Sequence, residues 1–391
     1  MAQQSLPSFH ILAKPTGAIC NLDCAYCFFL LKEQLYPGSD FRMSTEILAT
    51  YLRQYLQSQL GPEVEIAWQG GEPTLMGLNF FRRMVDLVGQ LKQPGQIVRY
   101  TMQTNGVLLD DEWASFFKTH QFLIGLSLDG PRELHDVYRL DKGGQGSFAK
   151  VMRAASLLRA HQVECNILTT VHRANAERPL EVYRFLRDEA GAQFIQFIPI
   201  VERAQQGAAV SERSVTAAQY GHFLISVFDE WVRRDVGRVF VQIFDAALGS
   251  WLGAPPSLCI FAPTCGGALA LEHTGDLYAC DHFVEPGYLL GNIQDRPLVE
   301  LATSDKQVQF GRDKQERLPH DCRVCEVRFA CYGECPKNRF IRTADGELGL
   351  NYLCVGYKAF FHHINLPMQI MAQLIRQRRA PAEIMAMLAA A

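Results

Sequence analysis

The sequence predicts an α/β protein in which a partial (β/α)6 barrel is followed by a small cysteine-rich domain. Two observations predict this class. Between residue 9 and about residue 200, short runs rich in Val, Ile, Phe and Tyr alternate with segments of helical periodicity. Such alternation indicates a parallel sheet with helices outside it, because crossovers between parallel strands are right-handed. After Pro255 and Pro256, the chain is instead rich in glycines, turn residues and cysteines.

The predicted elements of the barrel follow one another in β-α order. The strands are predicted at Phe9–Lys14, Val64–Gln69, Ile97–Gln103, Phe122–Leu128, Val163–Val171 and Phe194–Ile200. The first helix has Ser44 as its candidate N-cap. Further helices are predicted at about 79–92, 110–119, 147–161, 178–190 and 216–234. Eight repeats would close an ordinary barrel, so six repeats predict an open, partial one.

Three parts are predicted along the chain. Residues 1–240 form the barrel, residues 255–365 form the cysteine-rich domain, and residues 366–391 form a C-terminal helical tail that is broken near Pro381. The cysteine-rich part has few long periodic runs, and metal ligation is expected to supply the stability that its core lacks.

Composition and charge predict a cytoplasmic protein. A net charge of −3 gives no field that would attract nucleic acid or an anionic membrane. No run approaches the 18 apolar residues of a membrane span, and the start MAQQSLPS lacks the features of a signal peptide. In a reducing compartment, 12 cysteines point to metal ligation, catalysis or burial rather than to disulfides.

Three cysteines lie in one short loop after the first strand. Cys20, Cys24 and Cys27 are spaced C-x3-C-x2-C at the carboxyl end of that strand, where the catalytic loops of β/α barrels lie. Three thiolates can hold three irons of a [4Fe–4S] cluster and leave the fourth iron open for chemistry on a ligand. The alternative is a zinc site that lacks its fourth ligand.

This motif resembles the signature of the radical S-adenosylmethionine superfamily, which follows the first strand of a partial (β/α)6 barrel. The resemblance implies an open [4Fe–4S] cluster and S-adenosylmethionine as cofactor, and Tyr26 matches the aromatic residue before the last cysteine. It also implies that the turn Gly70-Gly71-Glu72-Pro73 meets the methionine amino group of the cofactor. The other implied cofactor contacts are Ser127, Arg139 and, through its backbone, Val201. Without the resemblance, Arg139 would be interpreted as a surface residue and Ser127 as a turn residue.

Eight cysteines lie between residues 259 and 354. A C-x2-C pair most often binds structural zinc, so two zinc sites are one interpretation of this region. The spacing, however, resembles the SPASM extension of radical enzymes, and eight thiolates suffice for two fully ligated [4Fe–4S] clusters. The resemblance assigns one set to an inner auxiliary cluster, Cys259, Cys265, Cys280 and Cys335. It assigns the other set to an outer cluster, Cys322, Cys325, Cys331 and Cys354. Three [4Fe–4S] clusters are thus expected, and only Cys165 remains outside them.

Across nearly its whole length the chain resembles the anaerobic sulfatase-maturating enzymes. The matching stretches include KPTGAICNLDCAYCFF, WQGGEPTLMGL, GLSLDG, GDLYACDHFV and NYLC. The resemblance implies oxidation of one Cys or Ser side chain of a sulfatase to Cα-formylglycine. A radical derived from S-adenosylmethionine would remove a Cβ hydrogen, a base would take the thiol or hydroxyl proton, and the inner cluster would accept an electron.

Asp281 is the residue that matches the family's catalytic base. The alternative role for this residue is a turn carboxylate that caps the local backbone. Negative charge on a neighbouring cluster is expected to raise its pKa. The sequence departs from the family's pattern at His282 and at Gly333-Glu334, and none of these positions is a ligand.

Two other functions stay open at this point. One is a SPASM maturase that forms thioether or carbon–carbon crosslinks in a precursor peptide; the 19 residues before Cys20 argue against the leader-binding domain that such enzymes often carry. The other is a non-catalytic iron–sulfur carrier or a zinc-stapled binding module. The expected partners are a sulfatase segment of the form C/S-x-P/A-x-R and an electron donor such as flavodoxin or ferredoxin. The sequence does not distinguish a Cys-type from a Ser-type target.

Overall fold

The computed structural model describes residues 9–203 and 210–390. The segment MAQQSLPS lies outside the described residues. Contacts divide the chain into two compact units, each assembled from separated segments. The first unit contains the chain up to Ser127, Arg139–Cys165 and Cys265–Asp313; the second contains Leu128–Tyr138, Asn166–Thr264 and the chain from Lys314 onward. The domain boundaries at 240, 255 and 365 stay predictions.

The strands and helices alternate through the first half of the described chain. The strands are β1 (His10–Lys14), β2 (Glu63–Trp68), β3 (Ile97–Thr104), β4 (Phe122–Ser127), β5 (Glu164–Val171), β6 (Phe194–Pro199), β7 (Phe240–Val241), β8 (Ala268–Glu272), β9 (Asp276–Tyr278), β10 (Leu289–Asn292), β11 (Ile341–Arg342) and β12 (Leu348–Leu350). The helices are α1 (Thr45–Ser58), α2 (Leu78–Leu91), α3 (Asp111–Thr119), α4 (Arg132–His135), α5 (Phe148–Ala160), α6 (Pro179–Arg184), α7 (Ala217–Arg234), α8 (Gln242–Leu252), α9 (Leu298–Ala302), α10 (Asp305–Glu316), α11 (His320–Arg323), α12 (Arg328–Cys331), α13 (Cys354–His363), α14 (Asn365–Arg376) and α15 (Ile384–Ala389).

The first unit is built on a sheet with the order β10-β9-β8-β1-β2-β3-β4. Strands β1 to β4 are parallel to one another, and β8 is parallel to β1, with Lys14 opposite Glu272. Strands β8, β9 and β10 pair antiparallel as a meander. Helix α1 packs against α2 and α9, and its buried face includes Tyr51 and Tyr55. The parallel strands bring their carboxyl ends to one edge, where the cysteine loop begins.

The second unit contains its own parallel strands and most of the late helices. In it, β6 pairs parallel with both β5 and β7, and β11 pairs antiparallel with β12. Helix α7 packs against α6, α13 and α15, and α8 packs against α14. Aromatic rings fill the contact, with Phe228, Phe244 and Phe360 within 5.2–6.4 Å of one another between centroids. This core holds the segments that carry the outer cysteines.

The predicted strands and helices are confirmed to within one or two residues at most ends. Ser44 caps α1 by accepting a hydrogen bond from the Ile47 N–H. The predicted helix at 178–190 begins as α6 and continues as a π-helical turn at Phe185–Glu189. The tail is broken between α14 and α15 at Pro381, as predicted. The sequence did not predict that β8, from the cysteine-rich region, extends the sheet of β1. None of the helices in the described ranges is long and apolar enough to cross a bilayer.

Candidate functional site

The three-cysteine loop leaves β1 and folds back on itself. Cys24 is buried, and Cys20 and Cys27 are half-buried. The Cys27 N–H donates to the Cys24 carbonyl at 2.9 Å, and the Leu22 N–H points at the Cys20 sulfur at 3.4 Å. Asn105, just after β3, places its amide 3.5 Å from the same sulfur. The loop thus gathers its thiols at the carboxyl end of the strands.

The chemistry of this donor set fits an iron–sulfur cluster. Burial, together with the nearby Glu72, Cys24 and Cys27, raises the pKa of Cys20 to about 12, although the hydrogen bond from the Leu22 N–H opposes the shift. Burial also raises the pKa of Cys27. Thiols so arranged hold their protons until a metal displaces them, because ligation requires the thiolate. Across residues 9–203 and 210–390, no three His, Cys, Asp or Glu side chains meet closely enough to bind a single metal ion.

The Gly-Gly-Glu turn after β2 packs directly on the cysteine loop. The Gly71 N–H donates to the Gly17 carbonyl at 2.8 Å, and the Glu72 N–H donates to the Ile19 carbonyl at 2.9 Å. A Cβ atom on Gly71 would lie 2.0 Å from the Ile19 carbonyl oxygen, and Gly70 has a φ of +124°. The glycines are therefore required by the approach of two loops. Their contact with S-adenosylmethionine stays a prediction.

The Glu72 side chain fastens the ends of β2 and β3 together. Its carboxylate accepts hydrogen bonds from the Thr74 N–H and hydroxyl at 3.0 and 2.7 Å, from the Thr104 hydroxyl at 2.7 Å and from the Asn105 N–H at 2.8 Å. Burial raises the pKa of Glu72, although these donors oppose the shift. The carboxylate is thus occupied within the protein, and the contact of Glu72 with the cofactor stays a prediction.

Arg139 and Tyr26 lie together against the cysteine loop. The loop forms a bridge between Leu22 and Asp141, which brings Arg139 beside it, with the guanidinium carbon 5.6 Å from the Tyr26 ring centroid. Arg139 is only 8% exposed, so the surface interpretation of this residue is wrong. Ser127, the buried last residue of β4, lies at the same edge of this unit's sheet. The roles of all three toward the cofactor stay predictions.

Asp281 is held by a buried lysine from β1. The Lys14 ammonium lies 2.7 Å from the Asp281 Oδ1 and 3.6 Å from the Glu272 Oε1. It also lies 4.4 Å from the ring centroid of Phe29, which follows the cysteine loop. Lys14 is fully buried, and the Asp281 side chain is 13% exposed. The side chain of Lys14 from β1, rather than the local backbone, therefore engages the Asp281 carboxylate.

The protein groups around Asp281 lower its pKa. Burial alone would raise it, but the charges of Lys14 and His282 and hydrogen bonds from Lys14 and Gln69 outweigh burial. The sequence predicts that negative charge on a neighbouring cluster raises this pKa, and it carries no sign that Lys14 pairs with Asp281. The side chains of the protein lower the pKa of Asp281 instead and so hold its carboxylate ionised.

The outer cysteines lie together in the second unit. Cys322 follows the start of α11, Cys331 ends α12 and Cys354 begins α13. Burial raises the pKa of Cys331 to about 12, with Glu334, Cys354 and Cys322 adding to the shift. Burial raises the pKa of Cys354 to about 11, with Cys322 and Cys325 adding to it. These mutual effects support the assignment of the four outer thiols to one fully ligated cluster, which stays a prediction.

The predicted inner cysteines are divided between the two units. Cys265 and Cys280 belong to the first unit, and Cys259 and Cys335 belong to the second. Their assignment to one cluster stays a prediction. Val201, buried just after β6 in the second unit, likewise keeps its predicted backbone contact. Cys165, outside all three sets, is half-buried on β5.

Sequence reasoning missed the residues that support these predicted groups. Lys14 stands inside the KPTG motif at the end of an apolar strand, and a charged residue at that place was a signal. Asn105 lies in the QTNG stretch that follows β3. Glu272 carried no local signal, because its role depends on the pairing of β8 with β1.

Comparisons with known families agree with this geometry. The model of the Radical SAM superfamily matches residues 15–186, and that of the SPASM iron–sulfur cluster-binding domain matches residues 259–326. A serine-type anaerobic sulfatase-maturating enzyme of Bacteroides thetaiotaomicron is 45% identical, covering 96% of this chain and 94% of the relative. A cysteine-type enzyme of Clostridium perfringens is 34% identical, covering 92% and 96%.

A solved structure extends the likeness to three dimensions. The structure described as native anSMEcpe with bound AdoMet and Cp18Cys peptide aligns with a TM-score of 0.85 at 34% identity, covering 94% of this chain and 100% of that chain. The predicted fold, a partial barrel followed by a SPASM domain, is confirmed. The cofactors of this fold are [4Fe–4S] clusters and S-adenosylmethionine. With relatives this similar over nearly its whole length, the chain belongs to the radical S-adenosylmethionine family of anaerobic sulfatase-maturating enzymes.

Proposed function

We propose that this protein oxidises the β-carbon of one serine or cysteine in a sulfatase to the aldehyde of Cα-formylglycine and so activates the sulfatase. The substrate would be an extended segment of the form C/S-x-P/A-x-R. Relatives of the serine type and of the cysteine type, each covering more than nine-tenths of the chain, support the reaction class. The solved relative with a bound peptide supports a polypeptide substrate.

The observation that carries the proposal is the position of the Asp281 carboxylate. It stands in the same unit as the three-cysteine loop, and His282 beside it contacts Phe28, with ring centroids 5.7 Å apart. Phe28 directly follows Cys27. An acceptor for the substrate's hydroxyl or thiol proton must stand close to the reacting carbon, and Asp281 is the carboxylate tied to the loop in this way.

Lys14 would fix that carboxylate for its task. The ion pair with Lys14 at Oδ1 and the hydrogen bond from Gln69 orient the carboxylate that would accept a proton from the substrate. The ammonium keeps the carboxylate charged in a buried place where it would otherwise be costly. The Glu272 Oε1 lies 3.6 Å from the same ammonium, so two carboxylates share one cation.

The remaining parts of the site follow from the donor sets. Cys20, Cys24 and Cys27 would hold the open cluster, and Tyr26, Gly70, Gly71, Glu72, Ser127 and Arg139 would line the place of S-adenosylmethionine in the first unit. Bound there, the clusters and S-adenosylmethionine supply hydrogen-atom abstraction and one-electron transfer. The protein would act in the cytoplasm and take electrons from a flavodoxin or ferredoxin.

The test is anaerobic reconstitution with iron, sulfide and S-adenosylmethionine, followed by incubation with paired peptides that carry C-x-P-x-R or S-x-P-x-R. Mass spectrometry of the peptides should show an aldehyde on at least one of them, trapped by a hydrazine reagent. The preferred peptide identifies the target type. A crosslinked peptide without aldehyde would indicate a maturase of another kind, and an unchanged pair of peptides with intact clusters would contradict the proposal.

A further inference from the structure

Three consecutive residues between two cluster cysteines adopt the left-handed backbone conformation. Tyr332, Gly333 and Glu334 have φ values of 45°, 70° and 53°, and they connect Cys331 with Cys335. For a residue with a side chain this conformation costs roughly 1–2 kcal/mol, and it normally occurs singly. A run of this kind persists only where surrounding contacts enforce it.

One arginine holds all three of these residues by their carbonyls. The Arg339 Nη2 donates to the carbonyls of Tyr332 at 2.7 Å and Glu334 at 2.8 Å, and its Nε donates to the carbonyl of Gly333 at 2.8 Å. A Cβ atom on Gly333 would lie 2.5 Å from the Leu318 Cδ2 and 2.9 Å from the Arg339 Nη2. The planar fork of an arginine matches this set of acceptors, and a lysine could not reach them together.

A buried lysine continues the contact to a third cysteine segment. The Arg339 Nη1 donates to the carbonyl of Lys314, and Lys314, which is 1% exposed, donates through its ammonium to the carbonyls of Cys259 and Ile260. The two cations thus link the segment of Cys259 with the turn between Cys331 and Cys335. All of these residues belong to the second unit.

The guanidinium of Arg339 acts through its charge on a buried acid and on three cysteines. Its hydrogen bonds within this group go to neutral carbonyls, and its charge interacts with Cys322, Glu334, Cys331 and Cys335. Glu334 is buried, and its carboxylate also accepts hydrogen bonds from the side-chain amides of Asn338 and Asn351. A cluster held by thiolates gains a further negative charge on reduction, and a nearby cation stabilises that state.

We propose that Arg339 and Lys314 form a cationic clamp with two effects on the auxiliary clusters. The clamp holds Cys331 and Cys335, a predicted ligand of each cluster, in position through the left-handed turn. The charge of Arg339 raises the reduction potential of the cluster on the outer set. The inference rests on the proposed function only for the assignment of the cluster ligands. Its test requires no turnover of a peptide.

The test compares Arg339→Met and Arg339→Lys with the control Arg342→Met, in a Cys24→Ala background that simplifies the spectra. Arg342 is exposed and donates to a single carbonyl, that of Gly346. Redox titration followed by electron paramagnetic resonance gives the midpoint potentials. Arg339→Met should make reduction of the outer cluster at least tenfold less favourable, a shift of about 59 mV to more negative potential for one electron. Arg339→Lys should shift it far less.

Iron content tests the positioning effect separately. Gly333→Ala keeps both cations but drives a Cβ atom into Leu318 and Arg339, so it should lower the iron retained per chain without shifting the potential of the clusters that form. Arg339→Lys should also retain less iron than the control. Wild-type midpoint potentials in Arg339→Met would overturn the electrostatic effect. If Arg339→Met holds too little iron to titrate, wild-type iron in both Gly333→Ala and Arg339→Lys would overturn the clamp.

The two proposals fail independently. A wild-type protein that makes no aldehyde while Arg339→Met still shifts the midpoint potential would remove the proposed function and leave the clamp. If the wild type makes aldehyde while every variant keeps wild-type potentials and full iron, the clamp would be removed and the proposed function would stand.

Discussion

Each unit holds a cation, the buried Lys14 in the first and the half-buried Arg339 in the second, and the two cations are used in different ways. In the first unit, the ammonium of Lys14 pairs with the carboxylates of Asp281 and Glu272. In the second unit, the guanidinium of Arg339 bonds to backbone carbonyls. A cation paired with a carboxylate fixes the charge of a group that can exchange protons. A cation bonded to carbonyls fixes backbone shape and keeps its own charge for the thiolates around it. The difference therefore separates a region suited to proton transfer from one suited to electron transfer.

The largest effect should distinguish the cysteine sets of the two regions. Cys24→Ala should abolish formation of 5′-deoxyadenosine and reduce iron from about twelve to about eight per chain, because one cube of four irons is lost. Cys331→Ala should retain 5′-deoxyadenosine and make little aldehyde. Chromatography measures 5′-deoxyadenosine and the peptide aldehyde, and iron analysis measures the iron per chain. Cys165→Ala is the control. Undiminished cofactor cleavage in Cys24→Ala would remove the radical assignment of the loop.

The next effect concerns the carboxylate of the first region. Asp281→Asn keeps the shape of the side chain but cannot accept a proton, so aldehyde formation should fall by about 10²-fold or more. Transfer of deuterium from a Cβ-labelled peptide to 5′-deoxyadenosine should persist, which separates hydrogen abstraction from product formation. Asp295→Asn, at an exposed carboxylate, is the control. Aldehyde at the wild-type rate in Asp281→Asn would place the base elsewhere.

Removal of the lysine should cost stability because it leaves two buried carboxylates unpaired. Lys14→Met is expected to lower the free energy of unfolding by about 3–5 kcal/mol, measured by urea denaturation under anaerobic conditions. The double variant Lys14→Met/Asp281→Asn should recover part of this loss, because one of the unpaired charges is gone. Arg99→Met breaks an exposed ion pair with Glu63 and should cost no more than about 1 kcal/mol. A loss in the double variant equal to the sum of the losses in Lys14→Met and Asp281→Asn would show that the pair is not coupled.

The smallest effect tests whether the Gly-Gly-Glu turn is held by its own carboxylate. Glu72→Gln turns one carboxylate acceptor into a donor that faces other donors, and it should lower the free energy of unfolding by about 1–3 kcal/mol. Thr104→Val removes a single donor to Glu72 and should cost less. The same denaturation experiment measures both. A larger loss in Thr104→Val than in Glu72→Gln would contradict the role of Glu72 as the centre of this network.

Local patterns in the sequence predicted much of the fold and of the cysteine chemistry. The strand and helix positions follow from hydrophobic periodicity, and the cysteine sets follow from short spacings such as that of Cys20, Cys24 and Cys27. These features depend on neighbours along the chain. The resemblance to a known family then predicted how these strands, helices and cysteine sets are arranged.

The supporting residues could not be predicted because they depend on distant pairing or on unfavourable backbone. Lys14 meets Asp281 only because β8 pairs with β1 in the same sheet. Tyr332 and Glu334 are residue types that avoid the left-handed conformation, and Arg339, which enforces it, carries no local mark of that role. The distinction between an occupied carboxylate, Glu72, and a reactive one, Asp281, likewise appears only in the hydrogen bonds.

The most direct test of the central claim follows the hydrogen atom itself. The wild-type protein, with its clusters reconstituted, is given S-adenosylmethionine and a serine peptide and a cysteine peptide that are each deuterated at Cβ of the target residue. We expect deuterium in 5′-deoxyadenosine together with an aldehyde at the labelled carbon of the accepted peptide. Aldehyde without deuterium transfer, or cleavage of the cofactor that leaves both peptides unoxidised, would contradict the account.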